Sequence, residues 1–204
     1  MYVAVAGNIG SGKTTLTDLL VKNYGWTPVY EQVEDNPYIA NFYDDMRRWS
    51  FNLQVYFLQK RFSAVIESYK KYGDIIQDRT LYEDAKIFAP NLHSMGLLST
   101  TDYETYIALF NLLDSLAPVP DLLIYLKASV PTLINLITKR GRIYENSIRI
   151  DYITSLNKRY DEWFDSYPDR KMAVDVDNYN IIDSAEDLGE VLQKIEGEIN
   201  PLVR

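Results

Sequence analysis

The sequence predicts an α/β fold in which a five-stranded parallel sheet is flanked by helices. Three observations predict it. Short apolar runs alternate with longer segments of helical periodicity along the 204 residues. The first run, Tyr2–Ala6, is continuously apolar, as a parallel strand buried on both faces is. Between that run and the first helical segment stands Gly7-Asn8-Ile9-Gly10-Ser11-Gly12-Lys13-Thr14, which fits G-x-x-x-x-G-K-[ST] at every defined position.

The elements follow in order. Tyr2–Ala6 is the first strand. Lys13–Asn23 carries Leu16, Leu19 and Leu20 at helical spacing, and Gly25 follows as a stop. Trp26–Glu31 is the second strand. Pro37 opens a helical region that runs to about Tyr72. Asp74–Gln77 is a short third strand, stopped by Asp78-Arg79-Thr80. A helix containing Glu83–Phe88 comes next, then a helix over Ser99–Leu116. Asp121–Leu126 is the fourth strand, ending just before Lys127. Val130–Lys139 is a helix that runs into Arg140-Gly141-Arg142, and Ile150–Phe164 is another. Lys171–Val176 is the fifth strand. Ser184–Ile199 is a terminal helix, capped by Ser184 with Asp187 three residues on. No internal repeat or Gly/Ser-rich linker divides the chain, and 47% hydrophobic content suits one domain spanning residues 1–204.

Composition removes several kinds of chemistry. There is no cysteine, so disulfides, thiolate metal sites and cysteine nucleophiles are excluded. His93 is the sole histidine, which argues against a histidine triad or a multi-histidine metal site; it reads as a packing or surface residue. The net charge of −8 argues against binding a long nucleic acid, which needs many Lys/Arg–phosphate contacts. No stretch approaches the roughly 18 apolar residues of a membrane span. Met1–Ala6 has no basic n-region, runs straight into the Gly7–Thr14 motif and reads as a core strand rather than a signal peptide. A cytoplasmic location without membrane attachment is the expectation. The 17 tyrosines are expected to be mostly core or interface residues.

In the Gly7–Thr14 motif, the glycines let backbone N–H groups turn onto phosphate oxygens, and the helix that follows adds its positive end. Lys13 is expected to reach the β- and γ-phosphates of a nucleoside triphosphate, and the Thr14 hydroxyl to bind Mg²⁺, with Thr15 next to it on the same stretch. The motif alone does not separate a kinase from a nucleotide-dependent switch. Glu31, at the end of the second predicted strand, faces the edge where ligands of such sheets bind. Its spacing fits a proton acceptor for an attacking hydroxyl or a solvated acidic loop shared with Glu34 and Asp35. Asp78 and Arg79 end the third strand at the same edge. Asp78 could hold Mg²⁺ directly or through water, and Arg79 the transferring phosphate or the base carboxylate; the competing reading is a surface ion pair. Lys139-Arg140-Gly141-Arg142 packs three cations round one glycine, as a hinged lid over triphosphate would; Lys139 also suits a helix C-terminus. Gln54, Phe57, Leu58 and Arg61 sit three or four apart, so Gln54 either pairs with a nucleobase edge or is a satisfied core glutamine.

Together these motifs resemble one family, the deoxynucleoside kinases, which include deoxycytidine, deoxyguanosine and deoxyadenosine kinases. The resemblance runs from Met1 to about Tyr179. It rests on the ordered set of the phosphate loop, Glu31-Gln32-Val33, Asn36-Pro37-Tyr38, Trp49-Ser50-Phe51 through Gln54, Asp78-Arg79-Thr80, Ile87-Phe88-Ala89 and Arg140-Gly141-Arg142. It implies a P-loop kinase fold with an arginine-rich lid over about residues 139–149. It also implies ATP and Mg²⁺ as donor and metal, a deoxynucleoside as acceptor, and a homodimer through the helices of Tyr43–Tyr72 and Ser99–Leu116. By the same resemblance, Glu31 takes the proton of the sugar 5′-hydroxyl, Arg79 stands beside it and Asp78 lies near magnesium. Gln54 pairs with the nucleobase and Phe88 stacks on it. Tyr43 and Glu145 hold the 3′-hydroxyl, and Arg140 and Arg142 close over the ATP phosphates. Arg61 and Asp84 fall where members accepting cytosine and purines carry an Arg–Asp pair, and the compact chain resembles the bacterial deoxyadenosine kinases. Deoxyadenosine is the expected acceptor, with deoxyguanosine, deoxycytidine or a broad specificity as alternatives. Three positions depart from the family pattern: Gln32 replaces a proline, Leu136 a further lid arginine, and Asn36 a tryptophan, which leaves room in the base pocket.

Two other functions compete. A nucleoside monophosphate kinase shares the loop and lid, but its anionic acceptor needs pocket arginines, and Arg47 and Arg48 are expected to lie outside. A nucleotide-binding switch without phosphoryl transfer would need a guanine-recognition sequence such as Asn-Lys-x-Asp, which the chain lacks.

Overall fold

A computed structural model of the chain describes every residue except 32, 34, 143, 146, 147, 182, 183, 203 and 204. Gln32 and Glu34, and three positions of the expected lid, therefore lie outside the described residues. The elements are β1 (Tyr2–Gly7), α1 (Lys13–Tyr24), β2 (Thr27–Val29), α2 (Ile39–Asp44), α3 (Met46–Tyr72) and β3 (Ile75–Asp78). A helical stretch follows as α4 (Leu81–Glu83), a π-helical turn (Asp84–Phe88) and α5 (Ala89–Ser94). Then come α6 (Thr100–Asp114), β4 (Leu122–Lys127), α7 (Val130–Arg140), α8 (Ile150–Ser166), β5 (Lys171–Asp175) and α9 (Ala185–Ile199).

The five strands are all parallel and lie in the order β2-β3-β1-β4-β5. The chain leaves β1 towards β2 on one side and leaves β3 towards β4 on the other. The crevice at the carboxyl ends of β1 and β3 is therefore the switch point where a ligand fits. The phosphate loop follows β1 there, and Arg79 follows β3.

Side chains of β1 alternate between two cores, as the period of two requires. Tyr2, Ala4 and Ala6 join Leu53, Leu58 and Val65 of α3, Phe110 of α6 and Leu156 of α8 on one face. Val3 and Val5 join Leu16 and Leu20 of α1 and Val191, Ile195 and Ile199 of α9 on the other. Leu16 and Leu20 are fully buried, which is worth roughly 1.5–3 kcal/mol each. Among the described residues no helix is long and apolar enough to cross a membrane.

The structure redraws three boundaries. The second strand is only Thr27–Val29, not Trp26–Glu31, because β3 pairs with three of its residues and Pro28 suits an edge strand. Glu31 therefore stands on the loop beyond it. The helical region from Pro37 to Tyr72 is two helices. Asp45 leaves helical geometry (φ −141°, ψ 82°), and its carboxylate then caps α3 by accepting from the Arg48 N–H at 3.0 Å. Asp78 is the last residue of β3 rather than the residue after it.

Candidate active site

The buried stripe of α3 carries Leu53, Gln54, Phe57, Leu58, Arg61 and Val65 at helical spacing. Two of these are polar, and they have a cleft to face. That cleft, about 800 Å³, is lined from one side by the loop Ile9–Thr15 and from the other by Tyr43, Gln54, Arg61, Asp84 and Phe88. Glu31, Arg79, Arg140, Arg142 and Glu145 also line it. Gly7, Asn8 and Asp78 are not among the lining residues; they act from behind, through contacts with Lys13 and Thr14.

The loop is held by its own atoms. Lys13 Nζ donates to the carbonyls of Gly7 and Asn8, each at 3.0 Å. The Asn8 amide donates to the Ile153 carbonyl at 3.2 Å and to Asn157 Oδ1 at 3.1 Å, which ties the loop to α8. Gly10 has φ +86°, and a Cβ there would come within 2.6 Å of Ile137 Cγ1, so the loop packs on α7 only because this position is glycine. Burial, and then the nearby Arg79 charge, lower Lys13 to about 8. Thr14 Oγ1 donates to Asp78 Oδ2 at 2.5 Å, while Asp78 Oδ1 is buried with no hydrogen-bond partner. Burial pushes the Asp78 carboxyl up, against the pull of Lys13.

Next to the loop lies a buried chain of charges. Arg61 donates through Nη2 to Glu31 and through Nη1 to Asp84. Arg79 Nε stands 3.1 Å from the same Glu31 oxygen, but its N–H is not aimed there and makes no hydrogen bond, so that contact is Coulombic. Arg79 Nη1 instead donates to the Tyr160 hydroxyl at 2.5 Å. The Tyr160 hydroxyl in turn donates to Glu83 at 2.9 Å. Burial alone would raise Glu31, but Arg79, Arg61 and Lys13 together outweigh it and hold the carboxyl at about 2. Asp84 goes the other way: burial raises it to about 6 despite Arg61. Arg79 has φ +70°, the only positive value among the described residues other than glycine. Such a conformation costs roughly 1–2 kcal/mol for a side chain with a Cβ. Here it coincides with a guanidinium that reaches Glu31, Glu83 and the face of Phe88, 4.8 Å from the ring centroid.

Gln54 is 2% exposed and its Oε1 has no partner. It is not a satisfied core glutamine, and the cleft is what it faces. The π-helical turn Asp84–Phe88 begins and ends on two cleft residues, and such turns are frequent at functional sites. At the lid, Arg140 Nε and Nη2 lie 3.1 and 2.5 Å from the two oxygens of Glu145. Tyr144 stacks on Tyr43 at 5.9 Å and 13°.

Other expectations resolve plainly. Arg47 and Arg48 are exposed and outside the cleft. Leu136 lines the cleft. Asn36 does not; its Oδ1 accepts from the Tyr38 N–H at 2.9 Å, so it shapes the loop rather than the pocket wall. His93 stacks on Tyr103 at 4.6 Å. Sequence reading missed Glu83, which is fully buried and accepts from the N–H groups of Gly7 at 3.3 Å and Thr80 at 2.7 Å. The signal was present as Thr80-x-x-Glu83, a capping box that the structure bears out. It also missed the stretch Val176–Ile181 and Asp187, which line the cleft beside the loop; no motif marks them.

The geometry can be set beside known proteins. The sequence profile described as deoxynucleoside kinase matches residues 3–200. A deoxyadenosine/deoxycytidine kinase of Bacillus subtilis (strain 168) is 36% identical over 203 residues, covering 97% of this chain and 93% of that protein. A deoxyguanosine kinase of Lactobacillus acidophilus is also 36% identical over 203 residues, covering 95% of this chain and 88% of that one. Among solved structures, the deoxyadenosine kinase from M. mycoides with bound dCTP superposes with a TM-score of 0.85 at 32% identity, over 97% of this chain and all (100%) of that one.

Proposed function

The chain belongs to the deoxynucleoside kinase family and phosphorylates deoxynucleosides; from that premise we propose that it transfers the γ-phosphoryl group of ATP to the 5′-hydroxyl of deoxyadenosine. The observation that carries the choice of base is the Arg61–Asp84 pair lining the cleft together with Gln54, whose Oε1 has no partner. Adenine, like cytosine, offers an amino donor beside a ring-nitrogen acceptor, which a carboxylate and a carboxamide can read together, and the likeness to the compact deoxyadenosine kinase of M. mycoides supports adenine. Relatives named for deoxyadenosine, deoxycytidine and deoxyguanosine make the other two bases the alternatives.

In the proposed reaction the O5′–H bond gives its proton to Glu31, a new P–O5′ bond forms, and the bond between the γ-phosphorus and the bridging oxygen breaks to release ADP. Both arginines crowd one Glu31 oxygen, Oε1, which leaves Oε2 for the hydroxyl. A carboxyl held at about 2 is a weak base. That suffices where the transition state is loose and the hydroxyl proton leaves late, so Glu31 acts first by orienting the nucleophile. Lys13, Arg79 and Arg142 offset the charge on the transferring group, and Tyr43 and Glu145 hold the 3′-hydroxyl.

Mg²⁺ fits the residues present. Asp78 offers a buried oxygen without a partner, and Thr14 offers a hydroxyl hydrogen-bonded to the same carboxylate. Among the described residues no cluster of three or more carboxylates or histidines could hold a metal on its own. When bound, it neutralises charge on the β- and γ-phosphates. The proposal includes a cytoplasmic homodimer formed through α3 and α6.

A monophosphate acceptor is disfavoured because the cations at the acceptor end, Arg61 and Arg79, are already paired with Glu31, Asp84 and Glu83. Comparing kcat/KM for the four deoxynucleosides and for dAMP with ATP tests the proposal. Deoxyadenosine is expected to rank first. A higher value for another deoxynucleoside would move the base assignment, and a higher value for dAMP would replace the reading.

A further inference from the structure

Arg140 and Arg142 are not equivalent in this lid. Arg140 is the last residue of α7, and Gly141 ends that helix with φ +69°. Glu145 lies against Arg140. There the Glu145 side chain is 4% exposed, against 35% for Arg140. The contact is two-pronged: Nε to Oε2 at 3.1 Å and Nη2 to Oε1 at 2.5 Å. Arg142 Nη1 stands 3.8 Å from Oε1, beyond hydrogen-bond reach.

A planar fork of this kind fixes a carboxylate in orientation as well as in place. Each Glu145 oxygen keeps a lone pair for a hydroxyl donor. Arg140 has its Nε–Nη2 edge committed to Glu145, so only the donors on its Nη1 side face any other partner. One residue before Glu145, Tyr144 lies flat on Tyr43. The two groups proposed to hold the sugar 3′-hydroxyl, Tyr43 and Glu145, are therefore each braced by a neighbour from the lid, and the brace on Glu145 is Arg140.

We infer that Arg140 is a positioning residue of the deoxyribose subsite, holding Glu145 towards the 3′-hydroxyl, and that Arg142 is the lid arginine that engages the phosphates. This rests on the deoxynucleoside kinase reading of the same cleft. It divides between two sites a pair of arginines that the sequence presents as one phosphate clamp.

The test is kinetic and uses four variants, Arg140→Gln, Arg140→Lys, Arg142→Gln and Glu145→Gln, each with deoxyadenosine and with 2′,3′-dideoxyadenosine. Arg140→Gln is expected to raise KM for deoxyadenosine by about 10- to 100-fold, the range for loss of hydrogen bonds to a charged group, with KM for ATP changed by less than about threefold. It should also shrink the preference for deoxyadenosine over the dideoxy compound to nearly that of Glu145→Gln. Arg140→Lys should keep most of the defect, since a point charge cannot replace the fork. Arg142→Gln should do the reverse, raising KM for ATP and leaving the 3′-hydroxyl preference intact. The inference is overturned if Arg140→Gln raises KM for ATP as Arg142→Gln does while the 3′-hydroxyl preference survives. If Glu145→Gln itself leaves that preference unchanged, the sugar-site assignment beneath the inference fails, and that outcome is seen without any Arg140 variant.

Discussion

Thr14 donates its hydroxyl hydrogen to Asp78 at 2.5 Å, joining the first helix after the phosphate loop to the end of the neighbouring strand. The other Asp78 oxygen has no partner, so the pair is complete on one side and open on the other. Replacing Asp78 by Asn removes the negative charge and keeps the shape. We expect kcat to fall by at least about 10²-fold, as for loss of one preorganised charge-stabilising group, and the Mg²⁺ concentration for half-maximal rate to rise. A magnesium titration of the variant checks this; an unchanged titration midpoint would remove Asp78 from the metal site.

Glu31→Gln keeps the side chain's size and its place beside Arg61 and Arg79 but cannot take a proton. Turnover should fall by at least about 10²-fold, with the dissociation constant for deoxyadenosine nearly unchanged in calorimetry. Near wild-type turnover would show that Glu31 is not the base.

Asp84 is expected to carry the pH dependence of nucleoside binding. Its carboxyl is raised to about 6 by burial, so the free enzyme begins to protonate it just below neutrality. A nucleobase amino group donates to the ionised form. Binding therefore expels a proton below about pH 6, and KM for deoxyadenosine should rise close to tenfold for each further unit of acidity. Above that pH the Asp84 limb should level off, until Lys13, lowered to about 8, begins to lose its charge near the top of the range. Glu31, held at about 2, stays ionised throughout this window and adds no limb of its own. Measured KM from about pH 5 to pH 8 should show the slope in the parent and lose it in Asp84→Asn.

Tyr160→Phe probes the buried chain behind the site. The hydroxyl accepts from Arg79 at 2.5 Å and donates to Glu83 at 2.9 Å. Removing it leaves a buried donor and a buried acceptor short of one partner each, at a cost of about 1–3 kcal/mol. A lowered denaturant midpoint with an unchanged slope would report that loss, and a midpoint equal to the parent's would mean that the chain is satisfied without the hydroxyl.

Much of this molecule was legible in the residues themselves. The phosphate loop is local chemistry: its glycines, Lys13 and Thr14 act within one turn of each other, so one short motif between a strand and a helix suffices. Five strands could be read because each carries a short apolar run between helical segments, continuous in Tyr2–Ala6 and Leu122–Leu126, where burial on both faces produces it. What required the fold is everything that depends on distance along the chain. Glu31 and Arg61 are 30 residues apart and Asn8 and Asn157 149 apart, and no spacing rule links them. The break at Asp45 and the π-helical turn at Asp84–Phe88 leave the apolar pattern intact, so periodicity does not reveal them. The positive φ of Arg79 is not signalled at all, because side chains with a Cβ avoid that region unless tertiary contacts hold them there. The sequence determined that a triphosphate loop opens this chain and which residue types surround it. The tertiary structure decided which arginine each carboxylate would meet, because in a buried site a charge settles on whichever partner the packing brings within reach.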